Sequence, residues 1–216
     1  MKSTVPLIVL GYTRFGENSI VVHTLGREYG RRSFLVRIGK KTGMAMFLPL
    51  NILEGTVVEN PKSSLWTAHG FSSLYPLDGI RNNIYKNSMT LFLSEVLWRT
   101  VKEGTSEEGL FDWCVKEILT LDGMESNFEN FHLRFLLDMA EALGFKPTVE
   151  DMAPFAGERL EDVRRLIEEP LAGCMLIPLS GDRRTEICQA IIRYLEYHTE
   201  STLNIRSLAV LHELFA

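Results

Sequence analysis

The chain has 216 residues, 45% of them hydrophobic and 24% charged, with a formal net charge of −5; this is the make-up of a globular protein and excludes a disordered or fibrous one. No run approaches the roughly 18 apolar residues of a membrane helix, and Gly11 and polar residues interrupt the apolar stretch Val5–Leu10 too soon for a secretory signal, so a cytoplasmic protein is expected. Cys114, Cys174 and Cys188 are odd in number and form no CxxC pair, which gives no basis for a disulfide framework or a zinc site.

The N-terminal part reads as strands. Val5–Thr13 is short and apolar, and Asn18–Leu25 is β-branched through Ile20, Val21, Val22 and Thr24. Arg31–Ile38 alternates, with Phe34, Val36 and Ile38 on one face and Ser33, Leu35 and Arg37 on the other. Phe47–Val58 and Leu65–Leu74 continue the series, and turn residues at Gly16, Gly30, Gly39–Gly43 and Asn60-Pro61 separate the strands. Five short strands with no long helix between them predict a closed oligonucleotide-binding (OB) barrel over residues 1–76.

Beyond Pro76 the period becomes helical. A first helix is predicted from about Ile80 to Lys102 and a second over Leu110–Leu121, and Phe131, Phe135, Met139 and Leu143 mark a third that Gly144 and Pro147 close. A charged helix over Leu160–Ile167 precedes an irregular apolar connection, Leu171–Leu179. Ser180 and Asp182 can cap a helix with Ile187, Ile191, Leu195 and His198 on one stripe, and Ser207 can cap the last. The predicted fold class is therefore α+β, a five-stranded OB barrel followed by an all-α domain over residues 77–216.

A search for catalytic constellations is negative. The sequence lacks HExxH, GxSxG, a P-loop and a dinucleotide fingerprint. His23, His69, His132, His198 and His212 are scattered, and the acidic pairs Glu107-Glu108, Glu161-Asp162 and Glu168-Glu169 adjoin basic residues as solvated helix faces do. Neither an enzyme nor a cofactor is expected.

The charge map points elsewhere. Residues 1–80 carry nine Lys/Arg against five acids, whereas the remainder is strongly acidic, so only the barrel suits a phosphate partner. The candidate nucleic-acid-binding residues are Arg14, Arg27, Arg31, Arg32, Arg37, Lys40 and Lys41, the last two in a glycine-bounded loop. If Arg31 and Arg37 share the outer face of an extended strand, their charges stand about 20 Å apart, roughly three nucleotides of backbone. Tyr12, Phe15, Tyr29, Phe47 and Trp66 are candidate stacking platforms for bases.

The stretch VLGYTRFGENSIVVHTLGREYGRRSFLVRIGKK resembles the start of RecO proteins, and Phe71–Leu74 resembles the strand closing that family's barrel. Phe92–Leu97 is similar to its first body helix, Asn130–Leu133 with Leu143–Pro147 to its "NFHLxFLL…LGFxP" helix and stop, and Leu203–Phe215 to its closing helix. The resemblance implies a mediator of DNA repair and homologous recombination that binds single- and double-stranded DNA and promotes strand annealing. It further implies that the protein works with RecR and with the tail of single-strand-binding protein to load RecA. Many members hold zinc with four cysteines after the LGFxP stop; here Phe145–Leu179 contains only Cys174, so no metal is expected. For the acidic, apolar-ended tail the candidate surface is the helix Phe131–Leu143, with Arg134 meeting a carboxylate and Phe135 and Leu136 an apolar end. The competing reading is an interaction adaptor whose helical body recruits repair partners, with incidental DNA contact.

Overall fold

The computed structural model describes residues 2–39, 43–63, 65–104 and 107–215. Its first part is a closed barrel of five strands: β1 (Lys2–Arg14), β2 (Ser19–Gly26), β3 (Gly30–Arg37), β4 (Ile52–Val58) and β5 (Trp66–Ser73). They run in the order β1-β2-β3-β5-β4, and β4 returns to β1. β3 and β5 pair in parallel, and the contact is confined to Phe34–Trp66 and Leu35–Thr67. The fold is thus the α+β arrangement of an OB-like barrel followed by helices.

β1 closes the barrel by serving two partners. Its first half pairs with β4 from Lys2 to Ile8, and its second half with β2 from Leu7 to Arg14. A bulge between Val9 and Gly11 bends it where the partner changes. Both faces of β1 are buried, which explains the unbroken run Val5–Leu10 in place of an alternating one. Val5, Leu7 and Val9 enter the barrel core with Val22, Phe34, Val36 and Phe47, whereas Ile8 and Leu10 turn outward into the helical core together with Leu25, Leu50 and Ile52.

The helices are α1 (Asp78–Arg81), α2 (Ile84–Thr100), α3 (Leu110–Gly123), α4 (Phe131–Ala142), α5 (Val149–Ala156), α6 (Leu160–Glu168), α7 (Leu171–Met175), α8 (Gly181–Thr199) and α9 (Ser207–Phe215). α4 lies in the middle of this body. α2 bridges to the barrel, packing on β1 on one side and α9 on another. Arg81 stitches the two parts together by donating to the Pro49 carbonyl at 2.7 Å and to Asn51 Oδ1 at 2.5 Å. No helix among the described residues is long and apolar enough to cross a membrane.

Three differences from the sequence expectations have local causes. The strand expected from Phe47 begins at Ile52, because Met44–Phe47 form a 3₁₀ turn and Leu50 adopts a left-handed conformation with φ of 59°. The helix expected from Ile80 is broken where the Asn83 side chain accepts from the amides of Tyr85 and Lys86 and starts α2 anew. The connection after α6 contains one short helix, α7, and α5 lies in a stretch where no helix was expected.

Candidate nucleic-acid interface

The antiparallel register fixes where the barrel's arginines stand. β2 pairs with β3 so that Ser19 faces Arg37 and Leu25 faces Arg31, while β1 pairs with β2 so that Arg14 faces Ile20. Arg14 and Arg37 therefore flank the start of β2 at one end of the barrel, and Arg27, Arg31 and Arg32 lie toward the other end. Arg31 and Arg37 do share the outward parity of β3, opposite to Phe34 and Val36, which are buried in the barrel.

The first end is open. Arg14 and Arg37 are exposed, and neither guanidinium has an ion pair or hydrogen bond among the described residues. A hollow of about 330 Å³ lies beside Arg14, walled also by Glu17, Ser19, Ile38 and Met44. The β1–β2 turn closes with Phe15 N–H donating to the Ser19 carbonyl at 2.9 Å, and Gly16 takes a left-handed φ of 69° there. This turn holds Phe15 out at 55% exposure, and Tyr12 is 42% exposed two positions before Arg14. Two cations and the exposed Phe15 ring at this barrel end can hold phosphates and stack a base, whereas Tyr12 pairs with Val22 further along and faces the helical body. Lys40 and Lys41 lie outside the described residues; the chain leaves toward them at Gly39 and re-enters at Gly43, next to this end.

The second end is engaged with the helical body. Arg27 donates to Asp112 Oδ1 at 2.5 Å and lies 5.2 Å from the Phe111 ring centre. The Arg31 guanidinium stands 3.9 Å from Glu103, and its backbone carbonyl accepts from Gly104 N–H at 2.9 Å. Arg32 stacks on Trp66 with 4.0 Å to the ring centre, and Trp66 in turn meets Tyr29 edge-on. Of the other expected platforms, Phe47 is fully buried and packed edge-on against Phe71.

His23 pins the middle. Its Nδ1 is 2.9 Å from Ser33 Oγ and its Nε2 3.1 Å from Thr13 Oγ1, and its ring stacks on Trp98 of α2 at 4.3 Å. Burial, and then the Arg31 charge, hold its pKa below the usual histidine value, so at neutral pH it adds no positive charge to the surface.

In the body, the residues expected to receive a protein tail are placed differently. Phe135 and Leu136 are buried in the core, and Arg134 is tied to Asp138 at 2.8 Å and to the carbonyls of Leu166 and Glu169. The reason is that α4 buries Leu133, Phe135, Leu136, Leu137 and Met139, covering nearly its whole circumference, so it offers no free apolar face. Cys114 and Cys188 are buried, and burial raises both thiol pKa values. Cys174 Sγ donates toward the carbonyls of Leu166 and Glu169, each at 3.3 Å. Among the described residues no three His, Cys, Asp or Glu side chains converge as a metal site requires.

Sequence reasoning missed an apolar groove of about 570 Å³ between barrel and body. It is lined by Tyr12, Leu48, Pro49, Leu91, Trp98 and Val210, with Arg206 at its rim. Arg206 is exposed, with no ion pair or hydrogen bond among the described residues. The exposed Leu91 and Val210 sit on α2 and α9, out of phase with the core stripes, and this was the available signal.

Comparison with known proteins agrees with this layout. The family model described as "Recombination protein O N terminal" matches residues 1–74, and "Recombination protein O C terminal" matches residues 81–154. A DNA repair protein RecO of Bacteroides fragilis is 31% identical, covering 96% of this chain and 97% of that protein. One from Phocaeicola vulgatus is 29% identical over 96% of this chain and 88% of the relative. Another, from Flavobacterium psychrophilum, is 25% identical over the full length of both.

Proposed function

The chain belongs to the RecO family of DNA repair proteins, and from that premise we propose that it is a non-enzymatic, cytoplasmic mediator whose barrel, up to about residue 76, binds single-stranded DNA. The observation carrying this reading is the open barrel end, where Arg14 and Arg37, without an ion pair or hydrogen bond among the described residues, share the end with the exposed Phe15 ring. Lys40 and Lys41 extend the same basic end in sequence. Duplex DNA uses the same charges without the stacking. Annealing of complementary strands, cooperation with RecR and loading of RecA onto strands coated by single-strand-binding protein are the finer activities that this reading includes.

The helical body, from residue 77, serves proteins. The groove beside Arg206 favours this part of the reading: an apolar-ended acidic tail of single-strand-binding protein can put its apolar side chains against Leu91 and Val210 and its carboxylate on Arg206. The same groove supports the adaptor alternative, in which protein contacts dominate. Titration of labelled single-stranded DNA over a salt series separates the two. Arg14→Ala/Arg37→Ala is expected to weaken binding and to flatten the salt dependence by about 0.7 per lost phosphate contact. Undiminished binding by that variant sinks the assignment of the open end and favours the adaptor.

A further inference from the structure

Resting on the reading that the barrel binds single-stranded DNA, we propose that the acidic segment entering α3 restrains that binding, by holding its carboxylates on the arginines at the second barrel end where phosphates would otherwise sit. Arg27 is paired with Asp112, and Arg31 with Glu103. The two acids belong to the body and the two arginines to the β2–β3 hairpin, so the contact crosses from one part of the molecule to the other. The fit extends to the backbone. β3 pairs with β5 only from Phe34 onward, which leaves the edge at Arg31 without a β5 partner. Glu103 makes an isolated parallel bridge to Arg31 there, and Gly104 N–H donates to the Arg31 carbonyl at 2.9 Å. The segment thus caps an open strand edge and delivers a carboxylate to the neighbouring guanidinium.

A carboxylate and a phosphodiester each carry one negative charge and accept hydrogen bonds from a guanidinium in the same way, so the two compete for one position. The carboxylates have the advantage of being tethered at high effective concentration. Their hold is nonetheless weak. The Arg27 and Asp112 side chains are 58% and 61% exposed, so water and salt screen that pair; in the other, Glu103 is 50% exposed and Arg31 19%, and their 3.9 Å separation is longer than a hydrogen bond. A single phosphate does not displace them, whereas a strand already anchored at Arg14 and Arg37 brings several at once. The stack of His23 on Trp98 and the Arg81 bonds to Pro49 and Asn51 join barrel to body at other points, so exchange leaves the barrel's seat on the body intact.

The test compares full-length variants by fluorescence anisotropy with a labelled oligothymidylate over a salt series. Glu103→Gln/Asp112→Asn keeps shape and removes both charges. It is expected to tighten binding about threefold per released arginine at low salt and to steepen the salt slope by about 0.7 for each. Adding Arg27→Ala/Arg31→Ala is expected to erase that gain. Glu107→Gln/Glu108→Gln removes the same charge from the same segment, at residues in no ion pair among the described residues, and is expected to change affinity less than about twofold because it acts only through the screened field. An equal gain from both acid pairs, or none from Glu103→Gln/Asp112→Asn, overturns the restraint while leaving DNA binding by the barrel in place. Failure of every variant and of the wild type to bind overturns both.

Discussion

The carboxamide nitrogen of Asn130 donates to the carbonyl of Cys174 at 3.0 Å, and it reaches the carbonyl of Ile177 at 2.8 Å as well. One buried side chain just before α4 thereby holds the α7 loop from inside, in the interval where the family resemblance would place zinc ligands. Asn130→Asp keeps the shape but turns a double donor into an acceptor facing two carbonyl oxygens. The expected loss is about 3 kcal/mol, from two orphaned carbonyls and a buried carboxyl group, read as a lower urea midpoint with an unchanged slope.

His132 makes stability depend on pH. Complete burial, followed by the Arg184 charge, pushes its pKa down to about 3. The folded protein therefore keeps the ring neutral while the unfolded chain takes up a proton near the usual 6.5. Between these values the unfolded state binds more protons, so this contribution is present above about pH 6.5 and is lost as pH falls, by about 1.4 kcal/mol per unit. Urea midpoints measured from neutral pH to about 5 should fall by the equivalent of about 2 kcal/mol more in the wild type than in His132→Leu. Parallel profiles would mean that the ring is protonated in the fold.

Two glycines should respond to alanine in opposite directions. A Cβ on Gly79 would stand 2.0 Å from the backbone oxygen of Asp122, whose carboxylate accepts from Ile80 N–H and fixes α1 against α3. Backbone cannot yield as a side chain can, so Gly79→Ala is expected to cost about 1–3 kcal/mol. At Gly123, in the last turn of α3, an added Cβ meets nothing within 4 Å. Gly123→Ala should be stabilising by about 0.4–1 kcal/mol through the unfolded chain. Thermal melts of the two variants provide the comparison.

One carboxylate satisfies the start of the last helix. Glu95 Oε2 on α2 accepts from Ser207 N–H at 2.9 Å and from Ser207 Oγ at 2.5 Å, satisfying the start of α9 from a distant element. Glu95→Ala is expected to weaken this end by about 1–2 kcal/mol. The readout is faster hydrogen exchange confined to the amides of α9; uniform exchange across the body would contradict so local a role.

Much of the barrel was legible because its strands carry local signals: β-branched runs, alternation in β3 and glycine turns. The strand ends were not, since Leu50 enters a left-handed turn for the sake of burying its side chain in the helical core, a tertiary cause. No helix was expected at α5, whose eight residues contain Pro154 and stop at Gly157, although Thr148 and Asp151 form a capping box whose spacing was visible. The basic residues proposed for the candidate site stand out by composition alone. Their division into an open and an engaged set was hidden, because Asp112 lies 85 residues from Arg27 and only the packing of α3 brings them together. The stripe Phe131–Phe135–Met139 correctly marked a helix, but not that Leu133, Leu136 and Leu137 would be buried as well, leaving Phe135 and Leu136 with no route to a partner.

β1 belongs to two cores at once, with Leu7 and Val9 in one and Ile8 and Leu10 in the other. A strand shared in this way cannot pivot. The barrel is not a bead on a tether but one arm of a rigid bracket, so a nucleic-acid strand seated on it and a protein gripped by the helices would be presented to each other at a fixed distance and angle. Any handover between them would then be set by geometry and not by a search through linker conformations.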